Sequence, residues 1–229
     1  MSGRRALIIG NSDGIGLALT RLLLDAGWSV AGISRRASPV DHEQYEHRVA
    51  DILDREFYRT ALRELWTDDT TTCIFCAGIG ESVDLTNMAY EETVFDVNLT
   101  GAITAISEVV PAMVTRGNGH FIGLSSQADT FTNADAPSYS ASKAGLSSYL
   151  HGLALAVRRK GVHVTNIRFG FVDTKMAKAD VQPFMISVDK AARVVYRCMR
   201  KRPMRYTYPK RMAALMWFVR WGPRLRLGS

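Results

Sequence analysis

Tyr139 and Lys143 stand four residues apart in Tyr139-Ser140-Ala141-Ser142-Lys143, inside a stretch whose pattern predicts a helix over 139–160. On a helix that spacing puts both side chains on one face. A free phenol ionises near pH ~10, too high for an efficient base at neutral pH, and a neighbouring ammonium lowers that value. The pair is therefore a candidate proton donor and acceptor. The competing reading is a tyrosine that merely caps a buried helix.

A second constellation lies near the N-terminus. Gly10-Asn11-Ser12-Asp13-Gly14-Ile15-Gly16 joins the first predicted strand to the first predicted helix. Glycines there let the backbone turn sharply and approach a pyrophosphate, whose charge sits on the helix N-terminus. The spacing is G-x3-G-x-G and not G-x-G-x2-G, and such glycines also serve simply to tighten a turn. After the second strand comes Ile33-Ser34-Arg35-Arg36, with no acidic residue until Asp41. A carboxylate there would accept hydrogen bonds from a ribose 2′-OH, whereas arginine grips a 2′-phosphate with two parallel bonds. Arg35 and Arg36 thus favour NADP(H) over NAD(H). Asp13, beside the same pocket, argues the other way, and two arginines after a strand also occur as plain solvated loop charges.

The elements that must hold these residues alternate. Apolar runs predict strands at Ala6–Ile9, Ser29–Ile33, Arg48–Asp51, Thr72–Cys76, His120–Leu124, Val162–Ile167 and Arg205–Tyr208. Helical patterns fall between them, at about 14–26, 54–66, 91–115, 139–160 and 188–200, with a last one near 210–221. Alternation of this kind predicts an α/β fold: one doubly wound, mostly parallel seven-stranded Rossmann-type sheet covered by helices on both faces. No linker interrupts it, so residues 1–203 read as one nucleotide-binding catalytic domain and 204–229 as its basic, aromatic strand–helix extension.

Composition narrows the class. The 229 residues are 47% hydrophobic, enough for one ordinary domain. Only Ala6–Ile9 precedes Gly10 as an apolar run, too short for a secretory signal, and no stretch of about 18 apolar residues is evident. The expectation is a cytoplasmic protein. Cys73 and Cys76 form a C-x2-C pair, but on a strand residues three apart face opposite ways, and no second pair completes a metal site. No metal is expected. The net charge of +7 divides unevenly: residues 190–229 carry +12 with no acidic residue, leaving −5 on the rest. The run Met212–Val219, flanked by Lys210, Arg211 and Arg220 and followed by Trp221, suits peripheral contact with an anionic membrane, or a terminal helix packed on its own or a neighbouring subunit. Nucleic acid is not expected, because no recognition fold accompanies the charge.

Taken together and in order, these motifs resemble the short-chain dehydrogenase/reductase family from about Arg5 to Arg205. The resemblance rests on the Gly10/Gly14/Gly16 turn, Asp51, Cys76-Ala77-Gly78, Asn98 in Val97-Asn98-Leu99, Ser125-Ser126, Tyr139 with Lys143, and Phe169-Gly170-Phe171-Val172-Asp173-Thr174. It implies a catalytic tetrad of Asn98, Ser126, Tyr139 and Lys143. In that tetrad Ser126, 13 residues before Tyr139, bonds the developing oxyanion, with Ser125 as the alternative hydroxyl. Lys143 would also grip the nicotinamide ribose, and Asn98 would support a proton-carrying water. Cofactor contacts are implied at Gly10, Ser12, Asp13, Gly14, Ile15, Gly16, Arg35, Arg36, Asp51, Ile52, Ala77, Gly78, Asn98, Tyr139, Lys143, Val172 and Thr174. Two departures stand out: Phe75-Cys76 where the family has Asn-Asn, and Phe169 where it has Pro. The implied activity is hydride transfer between NADP(H) and a small-molecule carbonyl or alcohol. Residues 175–187 would form a short apolar lid, including Met176, Val181, Phe184, Met185 and Ile186, and the protein would form a homo-oligomer, dimer or tetramer. A cofactor-binding regulator without activity, and the same chemistry run as alcohol oxidation, are the alternatives.

Overall fold

The structure is a computed structural model and describes residues 4–130, 133–175 and 183–211. Seven strands form one parallel sheet in the order β3-β2-β1-β4-β5-β6-β7. They are β1 Arg5–Ile9, β2 Ser29–Ser34, β3 Tyr45–Val49, β4 Thr70–Phe75, β5 Gly119–Ser126, β6 Val162–Phe169 and β7 Arg205–Tyr208. Helices α1 (Gly14–Asp25), α2 (Arg55–Leu65), α3 (Ala89–Phe95), α4 (Gly101–Arg116), α5 (Pro137–Val157) and α6 (Val188–Lys201) supply crossovers, as a parallel sheet requires.

The period of two along each strand sorts the core into two layers. Leu7, Ile9, Ala31, Ile33 and Cys73 face α2, α4 and α5, together with Leu62, Val109 and Leu146. Ala6, Ile8, Val30 and Ile74 face α1 and α6, with Leu19, Leu23 and Val195. Cys73 and Cys76 do fall on opposite faces, and both are free thiols. Strand order reverses between β1 and β4, and the crevice beyond the carboxyl ends of these strands is where a doubly wound sheet holds ligands.

Three expectations needed correction. The third strand is Tyr45–Val49, not Arg48–Asp51. As an edge strand it has one neighbour and alternates half-buried with exposed residues, so its polar Tyr-Glu-His-Arg sequence lacks the apolar run that marks the central strands. Asp51 instead lies in the turn beyond, accepting the Leu53 N–H at 3.0 Å. The long helix predicted over 91–115 is Ala89–Arg116, interrupted by a π-helical turn at Asp96–Thr100. By length and apolar composition this run would pass for a membrane span, against the expectation from the sequence, yet it packs against α2, α5 and β5 as a core element. The helix predicted from Tyr139 begins at Pro137, whose fixed φ suits a first helical turn, and gives way to a 3-10 turn at Arg158–Lys160. The terminal helix expected near 210–221 lies outside the described residues from 212 onward, as do Met176 and Val181 of the lid.

Candidate active site

The glycine turn divides its labour. Gly10 has φ +85°, and a Cβ there would fall 2.6 Å from the Ala77 nitrogen, so the loops after β1 and β4 meet only because it is glycine. A Cβ on Gly16 would stand 2.1 Å from the Gly10 carbonyl oxygen, so this residue lets α1 pack onto the turn. At Gly14, with φ +53°, a Cβ would meet only the Thr174 methyl among the described residues, so there is room on this side of the turn. Asp13 caps α1, accepting the Gly14 N–H at 2.8 Å. Its carboxylate also takes Lys175 at 2.7 Å and Arg36 at 3.5 Å. The Lys175 hydrogen bond, then the Gly14 N–H, hold its carboxyl below the usual range. Arg36 therefore reaches the turn; Arg35 is exposed beside it. Ile15 packs on the α1/α6 layer, Ile52 on the opposite one, and Ser12 is half-buried.

The second cluster forms where β4, β5, α5 and the π-turn converge. Asn98 is fully buried, and its amide clamps one residue of the β4 loop from both sides. Its Oδ1 accepts the Ile79 N–H and its Nδ2 donates to the Ile79 carbonyl, each at 2.8 Å. Nδ2 also donates to Ser142 Oγ at 3.1 Å. The extra residue of a π-turn lets this side chain leave the helix ladder and face the loop. The structure gives Asn98 this clamping role, with no bond to Lys143.

Lys143 is 5% exposed and donates to the Leu124 carbonyl at 3.1 Å. A Cβ on Gly78 would lie 3.1 Å from its Nζ and 3.3 Å from Asn98 Oδ1, so Lys143, Asn98 and the Ala77-Gly78 loop share one small space. Burial pulls the Lys143 pKa down to about 8, opposed by the Cys76 thiol, which burial itself pushes up to about 12. Lys143 Nζ sits 5.9 Å from the centre of the Tyr139 ring.

The Ser126 hydroxyl donates to the Phe169 carbonyl at 3.5 Å, its oxygen accepts the Ala128 N–H at 3.1 Å, and it lies close enough to the Tyr139 phenol to act on its pKa. Ser125 is locked elsewhere: its hydroxyl donates to Asn166 Oδ1 at 2.6 Å, away from the phenol. The lowered phenol pKa expected of an ammonium acting with an oxidised nicotinamide ring is not a property of the chain alone. Burial, followed by the Asp129 charge, raises the Tyr139 pKa in the chain alone, and Ser126 only partly opposes this.

Val172 forms a parallel bridge with Ile186, through Ile186 N–H to the Phe171 carbonyl at 3.0 Å and Asp173 N–H to the Ile186 carbonyl at 2.9 Å. Both bonds belong to its neighbours, so the N–H and C=O of Val172 face the other way. A cavity of about 560 Å³ between α1 and α6 reaches Asp13, Gly14, Thr174 and Lys175 but none of Asn98, Ser126, Tyr139 or Lys143. Among the described residues no group of three or more His, Cys, Asp or Glu could hold a metal.

Sequence reading missed several members. Gly80 lies against Tyr139, where a Cβ would come 2.5 Å from ring carbon Cδ2; the Gly78-Ile79-Gly80 spacing was its only signal. Asp129 and Arg168 form an ion pair whose side chains are 3% and 8% exposed, with a second bond, Arg168 Nε to Asp129 Oδ2, at 2.7 Å. Ser147 also donates to that carboxylate, and Asn166 Nδ2 donates to Ser147 at 3.1 Å, so a polar chain runs under the site from Ser125 to Arg168. Charges on separate elements give no local pattern by which to find them.

Comparison with known proteins shows the family and the fold. An uncharacterised oxidoreductase of Myxococcus xanthus is 28% identical over 228 residues, covering 93% of this chain and 90% of that protein. The acetoacetyl-CoA reductase of Cupriavidus necator is 28% identical over 193 residues, 78% of each. The solved structure of a short chain dehydrogenase from Burkholderia cenocepacia in complex with NADP superposes with a TM-score of 0.83 at 22% identity, covering 95% of this chain and 93% of that one. Residues 4–183 match the short chain dehydrogenase family, and the chain belongs to that family of oxidoreductases.

Proposed function

We propose that the chain is an NADP(H)-dependent reductase of an apolar ketone or aldehyde, with Tyr139 as the acid. The observation that carries this reading is the Tyr139 ring standing 5.9 Å from the Nζ of a buried Lys143, close to Ser126 at the carboxyl end of β5. The residues present suit a nicotinamide dinucleotide. Gly14 leaves room at the α1 N-terminus, the N–H and C=O of Val172 point away from the Ile186 bridge, and Lys143 offers an ammonium in the space bordered by Gly78. When bound, the cofactor supplies hydride to the carbonyl carbon.

The chain's own residues then manage the oxygen. Ser126 donates to the substrate oxygen and steadies the charge that develops there. A raised pKa keeps Tyr139 protonated at neutral pH, so it holds the proton that the oxygen needs. Lys143 holds the ribose and offsets the phenolate left behind. Asn98 fixes the β4 loop that walls the site. The preference for NADP(H) rests on Arg36 reaching across to the glycine turn, with the Asp13 charge balanced by Lys175. An apolar substrate is supported by Phe184 and Met185, each 46% exposed at the lid. The same reading carries a cytoplasmic homo-oligomer.

The test is NADPH consumption with a panel of ketones and aldehydes, for wild type and Tyr139→Phe. Turnover by wild type that falls about 10²–10⁴-fold in the variant, with NADPH still bound, is expected. Binding of NADPH without turnover of any carbonyl or alcohol would instead mark a cofactor-binding regulator.

A further inference from the structure

We propose that Tyr45 and His47, on the edge strand β3, are positioning residues that hold the Arg35–Arg36 loop against the glycine turn and so give it its grip on a 2′-phosphate. The proposal rests on the NADP(H) reading and adds the residues that enforce it.

The loop between β2 and β3 is tied at two rungs. At the first, the Ser34 hydroxyl lies 2.9 Å from the Arg36 carbonyl and 2.8 Å from His47 Nε2. A serine hydroxyl has one proton, and a carbonyl can only accept. Ser34 therefore donates to Arg36, and His47 must donate its Nε2–H to Ser34. The imidazole fixes the hydroxyl, and the hydroxyl fixes the backbone that carries Arg36. At the second rung, the Tyr45 hydroxyl lies close enough to Ser38 for that side chain to act on its pKa, and Ser38 accepts the Val40 N–H at 3.3 Å. The same Tyr45 oxygen accepts Asn11 Nδ2 at 2.7 Å. Asn11 belongs to the glycine turn, is fully buried and packs closely on Gly32, where a Cβ would lie 2.1 Å from its Nδ2, and the same nitrogen donates to Thr20 at 3.3 Å. Tyr45 and His47 are two apart on one strand, on one face, with ring centres 6.0 Å apart. One face of β3 thus braces the arginine loop to the turn that would receive the pyrophosphate.

The brace matters because Arg35 and Arg36 are themselves exposed. Among the described residues, their anchorage toward the turn is the 3.5 Å contact of Arg36 with Asp13, which solvent weakens. Without the rungs, binding a phosphate would have to order both the backbone and two long side chains, a cost that preorganisation removes.

NADPH and NADH differ only in the 2′-phosphate, so calorimetric Kd values for both separate positioning from general damage. His47→Phe keeps a ring beside Tyr45 but has no donor; NADPH affinity is expected to fall about tenfold with NADH affinity within about twofold. His47→Gln, whose amide can donate to Ser34, is expected to restore most of the loss. Ser34→Ala should reproduce His47→Phe, which guards against one variant folding poorly. Equal weakening of both nucleotides, or an unchanged NADPH/NADH ratio in both His47→Phe and Ser34→Ala, overturns the proposal. If wild type itself binds NADH as tightly as NADPH, the NADP(H) reading fails first and the brace falls with it.

Discussion

Around Lys143, the charged and amide side chains that shape the site are buried and tied: Asn98 to the Ile79 backbone, Lys143 to the Leu124 carbonyl, Asp129 to Arg168. Around Arg36, the charged heads are exposed and only the loop beneath them is tied, through Ser34 and His47. The difference follows from place in the sheet. The first region lies over β4, β5 and β6, which have neighbours on both sides, so a polar group there must find an internal partner or pay for lost water. The second lies over the edge, where water remains a partner and a charge is cheap to keep but hard to aim. Chemistry on a proton is thus placed where groups are locked, and recognition of a phosphate where a charge can wait in solvent. That contrast can be broken or sharpened by substitution.

The largest effect should come from Asp129→Ala, which leaves Arg168 charged and unpaired inside the protein. A loss of about 3–5 kcal/mol in denaturant unfolding is expected, with part of it recovered when Arg168→Gln is added. A small loss in the single variant would mean that this region is no more locked than the edge.

Lys143→Met removes the buried ammonium. In the native chain Lys143 titrates at about 8, below the unfolded value near ~10.4. Between those values the unfolded state binds more protons, so stability from this group rises with pH across that window and is lost below it. Wild type should gain about 2–3 kcal/mol relative to the variant from pH 8 to 10.5, read from unfolding curves at each pH. Parallel curves would place the lysine in solvent.

Arg36→Ala is expected to weaken NADPH binding by about tenfold, or about 1.4 kcal/mol, and to leave NADH unchanged, with no change in unfolding midpoint. The smallest effect belongs to Asp13→Asn. Asparagine caps a helix as well as aspartate, while the negative charge between Arg36 and Lys175 disappears. NADPH affinity should rise about twofold to threefold, in keeping with the modest worth of exposed ion pairs. A decrease would show that Asp13 orders the arginine instead of competing for it.

Much of this was written locally. Alternating apolar runs and the glycine turn specify a doubly wound sheet because strand and helix periods depend on near neighbours alone. Tyr139 and Lys143 were legible for the same reason: four residues on a helix decide that two side chains share a face. What the tertiary structure decided came from residues distant in sequence. Tyr45 and His47 were hidden by the misplaced third strand, since an edge strand need not be apolar. Asp129 meets Arg168 across 39 residues, Asn98 meets Ile79 only through a π-turn, and Gly80 matters only because Tyr139 lies on it. The state of the phenol followed the same rule. Proximity in sequence says that an ammonium is near, but burial, which only the packed chain sets, pulls the Lys143 pKa down and leaves the Tyr139 pKa raised.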